Sequence, residues 1–100
     1  MRRDIDELDV EFNFTAKEAF YLLFTRFNAA VKDLDRRRDE NVFQQTRAQY
    51  RFALKAELER LAMSIIENNQ EVQEMNLLRR NLTNRINDYL QEFMAKSQGI

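Results

Sequence analysis

The chain contains no cysteine, histidine, proline or tryptophan, and its only glycine is Gly99. Without cysteine there is no disulfide framework, no thiolate nucleophile and no cysteine-based zinc site. Without histidine the commonest general base is missing, as are histidine metal sites and the Glu-x-x-His pairs of di-iron bundles. A lone glycine at position 99 excludes a glycine-rich phosphate loop. Serine occurs only at Ser64 and Ser97, with no base type available to activate either. Any catalysis would rest on carboxylates, Tyr, Lys or Arg alone. The expectation is therefore a non-enzymatic protein with no cofactor and no metal.

Other shortages point the same way. Glycine and proline supply most tight turns, so a chain nearly without them predicts a few long helices with short Asn/Asp-containing links. No run approaches the ~20 apolar residues of a membrane span. Arg2 and Arg3 are followed by acids where a signal peptide needs an apolar stretch, so a cytoplasmic protein is expected. Charge of one sign is also lacking. Lys+Arg is 16 and Asp+Glu is 17, a net charge of −1, which argues against a dedicated binder of nucleic acid or membrane surfaces.

What is present suits a folded helical domain. One hundred residues, 44% hydrophobic and 33% charged, are enough for a single core under a solvated surface. The clearest stretch is 44–67, rich in Ala, Leu, Glu, Arg and Gln, the least costly residues in a helix. Phe43, Tyr50, Leu54, Leu58, Leu61 and Ile65 recur at steps of three, four and seven, which is helical spacing. A second stripe, Phe52, Ala56, Met63 and Ile66, lies on the other side, so this helix is expected to need two partners.

Residues 1–14 allow two readings. Leu8, Val10, Phe12 and Phe14 alternate with Asp9, Glu11 and Asn13, the pattern of a half-buried strand. Ile5, Leu8 and Phe12 also fit a helical step. The alternating set is larger and Asp4, Asp6, Asp9 and Asn13 are weak helix formers, so an N-terminal extended arm is expected, lying across the helices or pairing across a dimer. Thr15 and Glu18 then read as a capping box, opening helix 1 at about residues 16–38 with Phe20, Leu23, Phe24, Phe27, Val31 and Leu34 on one face. Asn41 with Gln44 repeats the cap spacing, giving helix 2 at about 41–67. Asn68 with Glu71 repeats it again, giving helix 3 at about 69–96 with Val72, Met75, Leu78, Leu82, Ile86, Tyr89 and Phe93 inward. A single helix over 42–96 stays open as an alternative. The apolar stripes of helices 2 and 3 differ in phase by only ~80°, which supercoil drift can absorb.

The expected fold is thus all-α: an arm over 1–14, then one helical domain over 15–100, a three-helix bundle completed by homodimerisation. Apolar positions off the main seams are the candidate partner or dimer interface: Phe12, Phe14, Tyr21, Leu22, Phe52, Ala56, Met63 and Ile66. The expected function is a protein–protein interaction module that self-associates, with another protein on an apolar helix face as a further partner. The alternative is a nucleic-acid-binding regulator with Arg36, Arg37, Arg38, Arg47 and Arg51 as candidate phosphate contacts. Asp33, Asp35, Asp39 and Glu40 lie close enough to offset the triple arginine. Glu67, Glu71 and Glu74 recur on one side of a helix, but acids at a helix start are ordinarily a solvated dipole contact.

Overall fold

A computed structural model describes residues 4–99. It contains three helices, α1 (Ile5–Val31), α2 (Glu40–Asn68) and α3 (Met75–Gln98), and no strand among the described residues. The helices lie side by side in a rod of 56 × 18 × 18 Å. α1 and α3 run parallel: Asp9 meets Arg85 and Asn13 meets Tyr89, the same offset one turn apart. α2 runs against both, so that Arg47 near its start reaches Ser97 near the end of α3.

α1 begins where Asp4, in extended conformation, accepts a hydrogen bond from the Glu7 N–H at 2.8 Å. Asp6 and Glu7 then lie in the first turn, where negative charge complements the helix dipole. Residues 5–14 are therefore helical, correcting the expected arm; residues 1–3 of that arm lie outside the described residues. Burial decides between the two periodicities. A strand would bury Leu8, Val10, Phe12 and Phe14 together. The helix buries Leu8 and Phe12 completely and leaves Val10 and Phe14 about two-thirds exposed. In exchange, Leu8, Phe12 and Ala16 join Leu23, Phe27 and Val31 in one unbroken stripe. Each full burial of a Leu or Phe is worth about 1.5–3 kcal/mol. The helix penalty of an Asp or Asn is at most about 0.7 kcal/mol, so burial prevails.

Thr15 is accordingly no cap. It sits mid-helix, where its hydroxyl donates back to the Phe12 carbonyl at 3.1 Å. α1 ends at Val31 rather than near Arg38. Residues 32–39 form a turn tied by aspartates: the Arg37 N–H donates to Asp35 Oδ1 and the Asp35 N–H donates to Asp39 Oδ2. Asp side chains compete in this way for backbone partners and so end helices. Asp39, not Asn41, occupies the cap position of α2. The far end of α2 falls within a residue of expectation. The Asn68-x-x-Glu71 signal is a decoy, because α3 starts only at Met75. Residues 69–74 turn the chain back, so the single helix over 42–96 does not form in this state.

One core runs the length of the rod. Its densest part is aromatic. Phe27 of α1 lies 5.5 Å from Phe93 of α3, 5.7 Å from Phe43 and 5.8 Å from Tyr50 of α2, all edge-on. Phe20 and Phe24 stack nearby and meet Phe93 edge-on. The aromatic excess in the first half of the sequence is mainly this layer, where all three helices converge.

Candidate functional site

The eight candidate interface residues divide by burial. Phe12 and Ile66 are buried in the chain's own core and leave the candidate site. Phe12 was misplaced by the strand reading. Ile66 lies near the turn at 69–74, where the bundle closes around it. Phe14, Tyr21, Leu22, Phe52, Ala56 and Met63 are exposed, and Phe52 and Tyr21 each keep 74% of their surface in solvent.

The exposed set is organised by helix geometry. At ~100° per residue, Val10, Phe14 and Tyr21 fall within about 40° of one another on the outer side of α1, and Phe52, Ala56 and Met63 do so on α2. The two stripes share the spacing i, i+4, i+11. Between the helices runs a shallow groove lined by Ala19, Leu22, Leu23 and Arg26 of α1 and by Ala53 and Glu57 of α2. Leu22 and Ala53 carry apolar surface across it. Glu57 is held by Arg60 one turn on, and this pairing keeps its carboxyl below the ordinary carboxylate range. Val10 and Val42, both about half exposed or more, belong to this surface and were not singled out from sequence. Val10 had been assigned to the buried side of a strand.

The candidate phosphate-binding arginines do not form one surface. Arg47 is committed internally: its Nε donates to Ser97 Oγ at 2.8 Å and another guanidinium N–H donates to the Met94 carbonyl. It thereby caps the last turn of α3, where positive charge suits the helix dipole. Arg36 pairs with Glu40 at 3.0 Å and lies 3.7 Å over the Phe43 ring. Hydrogen bonds from Gln44 and Arg36 hold the Glu40 carboxyl below its usual value. Arg38 faces Asp35 at 3.9 Å. Arg37 and Arg51 are exposed, but Arg37 belongs to the 32–39 turn. Arg51 lies beside Asn87, Leu90, Gln91 and Met94, in the cleft between α2 and α3.

A polar seam between α1 and α3 went unseen in the sequence. Arg85 makes two hydrogen bonds to the Asp9 carboxylate, at 3.0 and 3.3 Å, and this raises the guanidinium pKa further. The Tyr89 hydroxyl donates to Asn13 Oδ1 at 3.1 Å, and burial pushes its pKa up. Lys96 lies 5.6 Å from the Phe20 ring. Asp9 and Asn13 had been read as the solvent side of a strand. On a helix they face α3 and fix the register of α1 against it.

Among the described residues, no three acidic side chains gather as metal ligands, and no helix is long and apolar enough to cross a membrane. The shifted titrating groups all belong to surface pairs or to the α1–α3 seam, not to a closed cavity. Comparison with protein-family models, with curated proteins and with solved structures found no match for this chain.

Proposed function

We propose that this chain is a non-enzymatic protein–protein interaction module that self-associates as a homodimer, with the outer face of α1 and α2 as its contact surface. The observation that carries this reading is the pair of exposed apolar stripes. Phe14, Tyr21, Phe52 and Met63 stand outside a core that is already complete without them. Large apolar side chains exposed in a row along a helix, on α1 and again on α2, are the surface pattern of an association site. The composition supports the non-enzymatic part, since neither histidine nor cysteine is available for chemistry.

Sedimentation equilibrium tests the proposal. The native chain is expected to dimerise at micromolar concentration. Tyr21→Glu with Phe52→Glu is expected to return it to monomer while helical content and melting temperature stay unchanged. A native chain that stays monomeric, or a double variant that dimerises as tightly as the native one, would overturn the reading. In the nucleic-acid alternative, with Arg36, Arg37, Arg38, Arg47 and Arg51 as phosphate contacts, Arg36 and Arg47 also make intramolecular contacts. Its remaining test is retention on heparin that weakens steeply with salt.

A further inference from the structure

The two connectors of the bundle are built differently, and the second carries a conformational option. Residues 32–39 are pinned by the Asp35 and Asp39 hydrogen bonds described above. The apolar stripes on either side of them are also badly out of phase, so that α1 and α2 cannot run together as one amphipathic helix. Residues 69–74 differ on both counts: their side-chain hydrogen bonds run back to the last turn of α2, and the buried positions on either side are in phase. They contain no glycine and no proline, and no described residue of the chain has positive φ. At the two ends of this connector Asn69 has φ −136° and ψ 44°, and Glu74 has φ −102° and ψ 53°. Glu74 reaches helical values mainly by rotation about ψ and Asn69 by comparable rotations about φ and ψ, both staying at negative φ.

The buried positions also keep helical spacing straight through the turn. Ile65, Asn69, Val72, Met75, Leu78 and Leu82 follow one another at steps of three and four, and all but the half-buried Met75 are buried. A connector that served only as a loop would have no need of this spacing.

The hydrogen bonds at the break complete the case. In an uninterrupted α-helix the backbone N–H of residue 69 would donate to the carbonyl of residue 65, and that of residue 70 to the carbonyl of residue 66. Here the Asn69 side-chain amide donates to the Ile65 carbonyl at 2.8 Å, and the Gln70 side-chain amide donates to the Ile66 carbonyl at 2.7 Å. The side chains of these two residues stand in for their own backbone N–H groups. Straightening the chain exchanges one set of donors for the other and leaves neither carbonyl unpaired.

From these observations we infer that residues 69–74 are a hinge through which α2 and α3 join into one helix of about 90 Å, with a second copy of this chain as the partner. In that dimer each chain's α3 leaves its own α1 and α2 and packs in the same seat on the other chain. The buried contacts of the closed bundle are re-formed between chains. The two long helices run antiparallel, cross at Val72, and bring the Arg47–Ser97 and Asp9–Arg85 contacts across from one chain to the other. The inference rests on the self-association proposed above, in which the Tyr21–Phe52 contact brings the two copies together, and adds the exchange of α3 to it.

Spin labels test it directly, because the chain has no native cysteine to interfere. Chains carrying Glu59→Cys and Thr83→Cys, labelled and diluted into an excess of unlabelled chain, report one distance within a single chain. In the closed hairpin the two sites lie on adjacent helices, packed at about 8–10 Å between axes. In the straightened helix they lie about 36 Å apart. Dimer isolated at high concentration is expected to show the long distance, and monomer the short one. A dimer showing only the short distance overturns the hinge while leaving self-association standing. Absence of any dimer overturns both. Two variants supply opposite signs. Asn69→Leu removes the amide that holds the turn and is expected to raise the dimer fraction, by about tenfold in the equilibrium per hinge, the value of a single hydrogen bond. Gln70→Gly with Glu71→Gly disfavours the joined helix and is expected to lower it. Movement of both variants in the same direction overturns the inference.

Discussion

Replacing Phe27 with alanine is expected to cost more stability than almost any other single change in this protein. The ring is fully buried and touches aromatic neighbours from every helix, with Phe24, Phe43, Tyr50 and Phe93 at centroid distances from 5.5 to 6.5 Å. Truncating a buried Phe costs about 3–5 kcal/mol, because the transfer energy and the unfilled cavity add. Edge-on aromatic pairs contribute roughly 0.5–1.5 kcal/mol each beyond area, but the four pairs share one ring and cannot be summed. A loss of about 4–5 kcal/mol follows, set against a total of about 5–15 kcal/mol for a domain of this size. In urea, with a slope of about 1–3 kcal/mol per molar, the midpoint should fall by roughly 1.3 M or more. Circular dichroism during urea unfolding measures this. Phe27→Leu, which keeps most of the volume, should cost less than about 1.5 kcal/mol and guards against a variant that does not fold. Phe52→Ala, on the exposed stripe, should change stability by no more than about 0.5 kcal/mol. If Phe27→Ala costs under about 1 kcal/mol, or if Phe52→Ala costs as much, the aromatic layer is not where the helices are joined.

Three further outcomes test other parts of the architecture. Asp4→Ala removes the bond to the Glu7 N–H and should destabilise the protein by about 0.5–2 kcal/mol, with faster amide exchange in the first turn of α1; no effect would mean that the helix does not begin there. Arg47→Lys keeps the charge but loses the fork that reaches both Ser97 and Met94, so it should cost about as much as Arg47→Met, with the loss concentrated in amide protection at the end of α3. Burial holds the Tyr89 pKa above its ordinary value of 10.0, so the unfolded chain ionises first. The stabilising contribution is complete below that value and is lost as pH rises through the higher folded pKa. Chemical denaturation across alkaline pH should show this decline, and Tyr89→Phe should make it shallower.

Much of this architecture was legible in sequence, for reasons that differ by element. The long stripe through Leu54, Leu58 and Ile65 has only one periodic reading, and the structure buries those residues. The segment over 5–14 has two, because Leu8 and Phe12 belong to both the alternating set and the helical one. Local pattern cannot arbitrate there. The decision comes from α3, distant in sequence, whose Arg85 and Tyr89 meet Asp9 and Asn13 only when that segment is helical. The cap signals failed for a related reason. Thr15 and Asn69 have the side chains of helix starts, but a hydroxyl or an amide can bond backward to residue i−3 or i−4 as readily as forward.

That ambiguity bears most on the candidate interface. Whether Phe12 or Phe14 faces a partner is settled by the conformation of the segment that carries them, whereas Tyr21 and Leu22 are helical on either reading. On α2, where the periodicity was unambiguous, Phe52, Ala56 and Met63 are exposed as read, and only Ile66 moved inward, at the end where the connector folds back. The same connector explains why the single long helix looked admissible. Its residues satisfy the helical pattern because they keep helical spacing, and their amides cap Ile65 and Ile66 only while the chain is bent. The two sequence readings of 42–96 are thus two states of one segment: the bent one is the state described, and the straight one is the state that a second copy would have to stabilise.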